Sequence, residues 1–121
     1  MSQVVLFICP HGAGKSRMAA AFFERVAPPG WRATSAGIEP GPELSPTAAR
    51  LLADTGAEAF LDADPPRAIS DVPLANRMVG IDCAPDGATD CWELSQSEFD
   101  EAMREEIRVL AEALAIELSN G

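Results

Sequence analysis

The chain has 121 residues, 47% of them hydrophobic, with nineteen acidic and nine basic side chains that give a formal charge of −10. That length and apolar content suit one domain with a real core, and the acidic balance disfavours nonspecific attraction to nucleic acid or anionic lipid. No basic region with a long apolar stretch opens the chain, and no run approaches the roughly 18 to 20 apolar residues of a membrane span, so a single cytoplasmic domain over residues 1–121 is expected.

In chain order, Gln3 to Ile8 reads as a buried parallel strand, because Val4-Val5-Leu6-Phe7-Ile8 is wholly apolar and mostly β-branched. Cys9 to Ser16 follows as a loop, then a helix from about Ser16 to Ala27 that Pro28-Pro29-Gly30 stops. Trp31 to Ser35 is a second strand. Ser45-Pro46, a cap and first-turn pair, opens a helix running through Asp54, which Gly56 closes. Pro65, Pro66 and Pro73 cut residues 57–76 into short pieces, which predicts a connection with at most a turn or two of helix.

Arg77 to Asp82 is a third buried strand, Cys83 to Thr89 a turn-rich loop, and Asp90 to Leu94 a short fourth strand. Phe99, Met103, Ile107, Leu110, Leu114 and Leu118 recur every three or four residues, the stripe of an amphipathic terminal helix. Alternating strands and helices predict an α/β fold whose parallel sheet is covered on both faces, with ligands at the carboxyl ends of the strands. Cys9, Cys83 and Trp92 all fall near such ends.

The stretch Cys9-Pro10-His11-Gly12-Ala13-Gly14-Lys15-Ser16-Arg17 carries the chemistry. A strand feeding a Gly-rich loop and then a helix N-terminus presents free backbone N–H groups and a positive dipole end to an anion. Two loop designs fit with one substitution each. A nucleotide-binding P-loop, G-x-x-x-x-G-K-[ST], matches Gly14-Lys15-Ser16 but meets Cys9 where its first glycine belongs. A C-x5-R-[ST] loop matches Cys9 and Ser16 but meets Lys15 in place of arginine.

The second loop resembles that of the low-molecular-weight phosphotyrosine phosphatases and the related arsenate reductases, and other segments agree. Ser35-Ala36-Gly37-Ile38-Glu39-Pro40 is similar to the family's S-A-G-T-x-P, Ser45-Pro46-Thr47-Ala48 to the start of its second helix, and Arg17-Met18-Ala19 to its Q-M-A or P-M-A. The resemblance implies a three-layer fold with a four-stranded parallel sheet flanked by helices. It also implies a Cys9 thiolate nucleophile, with Lys15, Ser16 and the loop from Pro10 to Arg17 holding the oxyanion. Phosphate, sulfate or an arsenate-like oxyanion is the expected guest, carried by a small molecule or a phosphorylated protein, with no cofactor or metal. In a helix-N-terminal loop beside Lys15, the thiolate is favoured over the thiol. The plain alternative for Cys9 is a small buried hydrophobe at a strand end.

Two departures point to weakened activity. Lys15 keeps the charge but loses the planar fork with which arginine binds two oxygens at once, and Arg17, two residues on, either supplies that fork or points to solvent. The family's acidic residue after the tryptophan segment aligns with Gln96, which cannot act as a proton donor in its place. Glu93, Glu98 and Asp100 lie nearby, but the last two suit the first turn of the terminal helix, with Ser95 or Ser97 as cap. His11 either touches the anion, pairs with Cys9 or points outward. Gly12 replaces the family's usual asparagine, and glycine adopts an unusual loop conformation without steric cost. Thioredoxin-coupled relatives imply one further reading, a thiol relay from Cys9 through Cys83 to Cys91. Beside the phosphatase or arsenate-handling enzyme stand a lapsed anion-binding module of the same fold and a small P-loop nucleotide-binding protein with Asp82 as its acid.

Overall fold

A computed structural model describes residues 3–72 and 74–120; Pro73, one of the expected chain breakers, lies outside them. The elements are β1 (Gln3–Cys9), α1 (Lys15–Val26), β2 (Trp31–Gly37), α2 (Pro46–Leu52), β3 (Arg77–Ile81), β4 (Asp90–Trp92) and α3 (Glu101–Ser119). The four strands are all parallel, in the order β2-β1-β3-β4. β1 is central and buried from Val5 onward, which is why its sequence is continuously apolar rather than alternating.

The main core lies between the sheet and the helices. Phe7, Met18, Phe22, Phe23, Val79, Ile81, Met103 and Ile107 are all fully buried there. The Phe7 ring sits 6.0 Å from Phe23 and 5.6 Å from Trp92 between centroids, tying the central strand to α1 and to the short edge strand β4. On the other face, Leu6, Ile8 and Ala36 pack against Ile69, Val72, Ala75, Met78 and Cys83. The third layer is therefore thin. The proline-cut connection supplies part of it through the one-turn 3₁₀ helix Ile69–Asp71, whereas its other 3₁₀ turn, Glu58–Phe60, lies beside α1, with Ala57 and Leu61 in the main core.

Several boundaries differ from expectation for local reasons. β2 runs two residues further, to Gly37, because its end pairs with Cys9 and with Ala68. α2 stops at Leu52, and Asp54 and Gly56 both take positive φ in the turn that follows. α3 begins at Glu101 and its cap is Asp100, whose carboxylate accepts from the Met103 amide at 3.1 Å; Ser95 instead bonds Glu106 through its amide and hydroxyl. Phe99 is thus not the first rung of the helical stripe. It lies in the loop before α3, against Gly14.

Candidate active site

β1 ends at Cys9 and α1 begins at Lys15, so residues 10–14 form a loop at the carboxyl end of the central strand. Its carbonyls are held in a regular way. The oxygens of Cys9, Pro10, His11 and Ala13 accept from the amides of Ile38 (3.2 Å), Glu39 (2.9 Å), Gly41 (3.2 Å) and Ser45 (2.9 Å). Gly12 oxygen accepts from Arg17 Nε at 2.9 Å, and Gly14 oxygen from the Met18 amide in the first turn of α1. Among the described residues every peptide is trans, so each carbonyl and the next N–H point in opposite directions. Tying the carbonyls outward turns the N–H groups of His11, Gly12, Ala13, Gly14 and Lys15 to the loop's inner side. One is seen directly, where Gly12 N–H donates to Cys9 Sγ at 3.2 Å.

The segment after β2 thereby acquires a physical role. Gly12 has φ +66°, a conformation open to glycine at little cost. A Cβ on Gly12 would stand 2.6 Å from the Gly37 nitrogen, and one on Gly37 would stand 2.5 Å from the His11 carbonyl carbon. The two chains approach so closely that neither position has room for a side chain, and this contact lets residues 38–45 reach the loop carbonyls.

Cys9 is buried, with Ser16 Oγ 3.2 Å from its sulfur. The Ser16 hydroxyl and the Gly12 amide therefore both lie within hydrogen-bond reach of Sγ. No side chain caps the N-terminus of α1, which leaves its first amides free for a guest. Above the loop is an open pocket of about 350 Å³ lined by Cys9, Pro10, His11, Ala13, Gly14, Lys15, Ser45 and Phe99. Sequence reasoning missed Phe99 as a pocket wall. The signal was Asp100, a strong cap residue that places Phe99 one position outside the helix.

Lys15 lines this pocket, but its Nζ is bound to Asp82 Oδ2 at 2.7 Å. Asp82 takes φ +56° just after β3, and its other oxygen accepts from the Leu94 amide at 2.9 Å. Burial pushes the Asp82 carboxyl up, but the Lys15 ammonium and the Leu94 amide outweigh it and hold the group below the usual carboxylate range. Asp82 entered the sequence reading only as a nucleotide-site acid; its partner is the loop cation.

Arg17 neither reaches the pocket nor points to solvent. It is 1% exposed, behind the loop, with Nε on Gly12 oxygen and Nη1 on Asp62 oxygen at 2.6 Å. Burial pulls its guanidinium down from its ordinary value, against the opposing attraction of Asp62, and arginine stays charged regardless. His11 is exposed, its Nδ1 3.4 Å from Glu39 oxygen. Gln96, Glu93, Glu98 and Asp100 are exposed and none lines the pocket. Cys83 is half-buried with its thiol 3.4 Å from Ile8 oxygen, and Cys91 is exposed. Burial, chiefly, pushes the Cys83 thiol up. Among the described residues no cluster of His, Cys, Asp or Glu is arranged to hold a metal, and no helix is long and apolar enough to cross a membrane.

The family model of low molecular weight phosphotyrosine protein phosphatases matches residues 4–82, which include the loop, the Ser35-Ala36-Gly37 segment and Asp82. The chain belongs to this family. Its fold is similar to that of the arsenate reductase from Archaeoglobus fulgidus, at 29% identity over 97% of this chain and 99% of that one, with a TM-score of 0.70. The thioredoxin-dependent arsenate reductase of Corynebacterium glutamicum is 27% identical over 98% of this chain and 63% of that one, with a TM-score of 0.77. An arginine phosphatase from Geobacillus stearothermophilus shares the fold at 21% identity, 98% and 94% coverage and a TM-score of 0.73. No curated protein matches the sequence. Membership removes the P-loop nucleotide-binding alternative: this four-stranded phosphatase-family sheet ends its first strand in a cysteine loop, and Lys15 pairs with Asp82 across it.

Proposed function

We propose that the chain is a weak thiolate phosphatase of its family, acting in a reducing cytoplasm on small or protein-borne phosphoesters. The observation that carries this reading is the loop after Cys9, whose carbonyls are bonded outward while the Gly12 N–H turns inward onto Cys9 Sγ. Donors fixed before the reaction begins stabilise the oxygens of a phosphoryl group as charge moves onto them. The Cys9 thiolate attacks phosphorus, the ester P–O bond breaks, and a phosphocysteine forms. Water then attacks that intermediate, releasing phosphate and returning the thiolate. Ser16 steadies the sulfur at 3.2 Å, and Lys15 contributes a single charge shared with Asp82.

The leaving oxygen needs a proton. None of the described residues lining the pocket is a carboxylate, so water supplies it, which favours aryl phosphates and other esters with good leaving groups. Phe99 gives such a group an apolar wall although the chain has no tyrosine. The test is single-turnover release of nitrophenol from p-nitrophenyl phosphate. Release that disappears in Cys9→Ser supports the enzyme; phosphate binding without any release makes the protein a lapsed anion-binding module.

A second reading, arsenate reduction through Cys9, Cys83 and Cys91, draws on the packing of Cys83 Sγ against the oxygen of Ile8, the residue before Cys9. In that reaction Cys83 attacks the arsenylated Cys9 sulfur, arsenite leaves, and a disulfide remains for Cys91 to take over. The upward push on the Cys83 thiol works against it. A Cys9–Cys83 disulfide, found by peptide mapping after arsenate treatment, would support this reading, and its absence would rule it out.

A further inference from the structure

The Gly12–Ala13 peptide differs from its neighbours in what holds it. Of the five carbonyls from Cys9 to Ala13, four accept from backbone amides of residues 38–45, and only Gly12 depends on a side chain, Arg17. Arg17 is a fixed post. Its Nη1 bonds Asp62 oxygen at 2.6 Å, and the Asp62 carboxylate, 3.8 Å from Arg17, is held at 2.7 Å by Arg67. Arg67 in turn bonds Ser35 oxygen at 3.0 Å through its side chain and accepts from the Gly37 amide at 2.9 Å. Behind the loop, therefore, a chain of contacts runs from Gly12 through Arg17, Asp62 and Arg67 to the end of β2.

We propose that Arg17 is a positioning residue for anion capture: by holding Gly12 oxygen from behind, it aims the Ala13 N–H into the cradle. This rests on the oxyanion reading above. A trans peptide whose oxygen is fixed on one side presents its N–H on the other, and glycine at φ +66° would otherwise let this peptide turn over easily. Packing alone does not explain the choice of residue. Nη2 of this buried guanidinium finds no partner among the described residues, a cost that methionine at the same place would avoid.

The test follows backbone amide resonances during titration with inorganic phosphate, in wild type, Arg17→Met and Arg17→Lys. In wild type, phosphate shifts the Ala13 amide together with those of His11 and Gly14. Arg17→Met weakens phosphate binding by about 10- to 100-fold, as expected for losing a charged group's hydrogen bond. Its Ala13 amide no longer responds, while His11 and Gly14, whose preceding carbonyls have backbone donors, still do. Arg17→Lys restores part of the affinity. Unchanged affinity with an intact Ala13 response in Arg17→Met overturns the proposal and leaves the oxyanion reading standing; no phosphate binding by wild type overturns both. Proton exchange of Arg17 Nε–H in the wild-type protein tests the brace without a substitution. Slow exchange agrees with it, and exchange at the rate of a solvent-exposed arginine refutes it even if Arg17→Met fails to fold.

Discussion

Lys15 and Arg17 stand two residues apart at the start of one helix and serve opposite sides of one loop. At 3.6 residues per turn, two positions correspond to about 200° around the axis, so the two side chains diverge. Lys15 faces the pocket at 27% exposure and meets Asp82; Arg17 is 1% exposed behind the loop and meets Gly12 and Asp62. Helical geometry thus prevents Arg17 from standing in for the missing arginine fork, however suitable its chemistry. The lesson is that the rear of the cradle is thoroughly braced while its front carries a single compact charge, already shared with a carboxylate. A structurally intact loop with weak chemistry is the expected combination.

Substitutions sharpen that contrast, beginning at Cys9, the proposed nucleophile. Cys9→Ser should abolish nitrophenol release in a single-turnover assay while leaving phosphate binding measurable, since the hydroxyl fills the same space but is a far weaker nucleophile. At the front of the cradle, Lys15→Arg should raise the single-turnover rate by roughly 10²-fold, the scale of one well-placed oxyanion donor. At the close contact between β2 and the loop the response should be in stability instead. Gly37→Ala puts a Cβ 2.5 Å from the His11 backbone, and denaturant titration should find a loss of about 1–3 kcal/mol from that overpacking.

Removing the cap carboxylate of α3 with Asp100→Ala should cost about 1 kcal/mol in the same measurement. It should also loosen the Phe99 wall without touching the loop. The smallest effect concerns Asp82. Its carboxyl is held below the ordinary range, so its contribution is present above the unfolded value near ~4 and is lost as pH falls through the lower folded value. Stability curves of wild type and Asp82→Asn should therefore differ at neutral pH and converge in acid; a constant gap at all pH values would show that the Lys15 pair contributes nothing.

Much of this was legible because the signals were local. The apolar run of β1, the proline and glycine stops, and the spacing from Cys9 to Ser16 each depend on neighbours in sequence, and they located the strand, the loop and the helix. The helical stripe from Met103 to Leu118 likewise marked α3, but its first turn was misplaced, because a phenylalanine in step with the stripe outweighed the aspartate that caps the helix, and Leu110 is only half-buried where Ala111 takes the core position. What stayed hidden depends on distant partners. Asp82 is 67 residues from Lys15 and Asp62 is 45 from Arg17, and no local pattern announces either pairing. The burial of a charged residue on a first helical turn runs against the usual preference for solvent, and only the folded connection at residues 61–68 explains it. The role of Gly37 was visible as a motif, but its reason, a backbone contact too close for any side chain, required the structure.

The most direct test of a braced cradle around a nucleophilic thiolate is to capture its covalent intermediate. Wild-type protein mixed with p-nitrophenyl phosphate, quenched in acid within the first turnover and mapped by peptide mass spectrometry, should carry one phosphoryl group on the peptide containing Cys9. The label should be absent from Cys9→Ser. Nitrophenol release in wild type with no phosphoryl group on Cys9 would contradict the account.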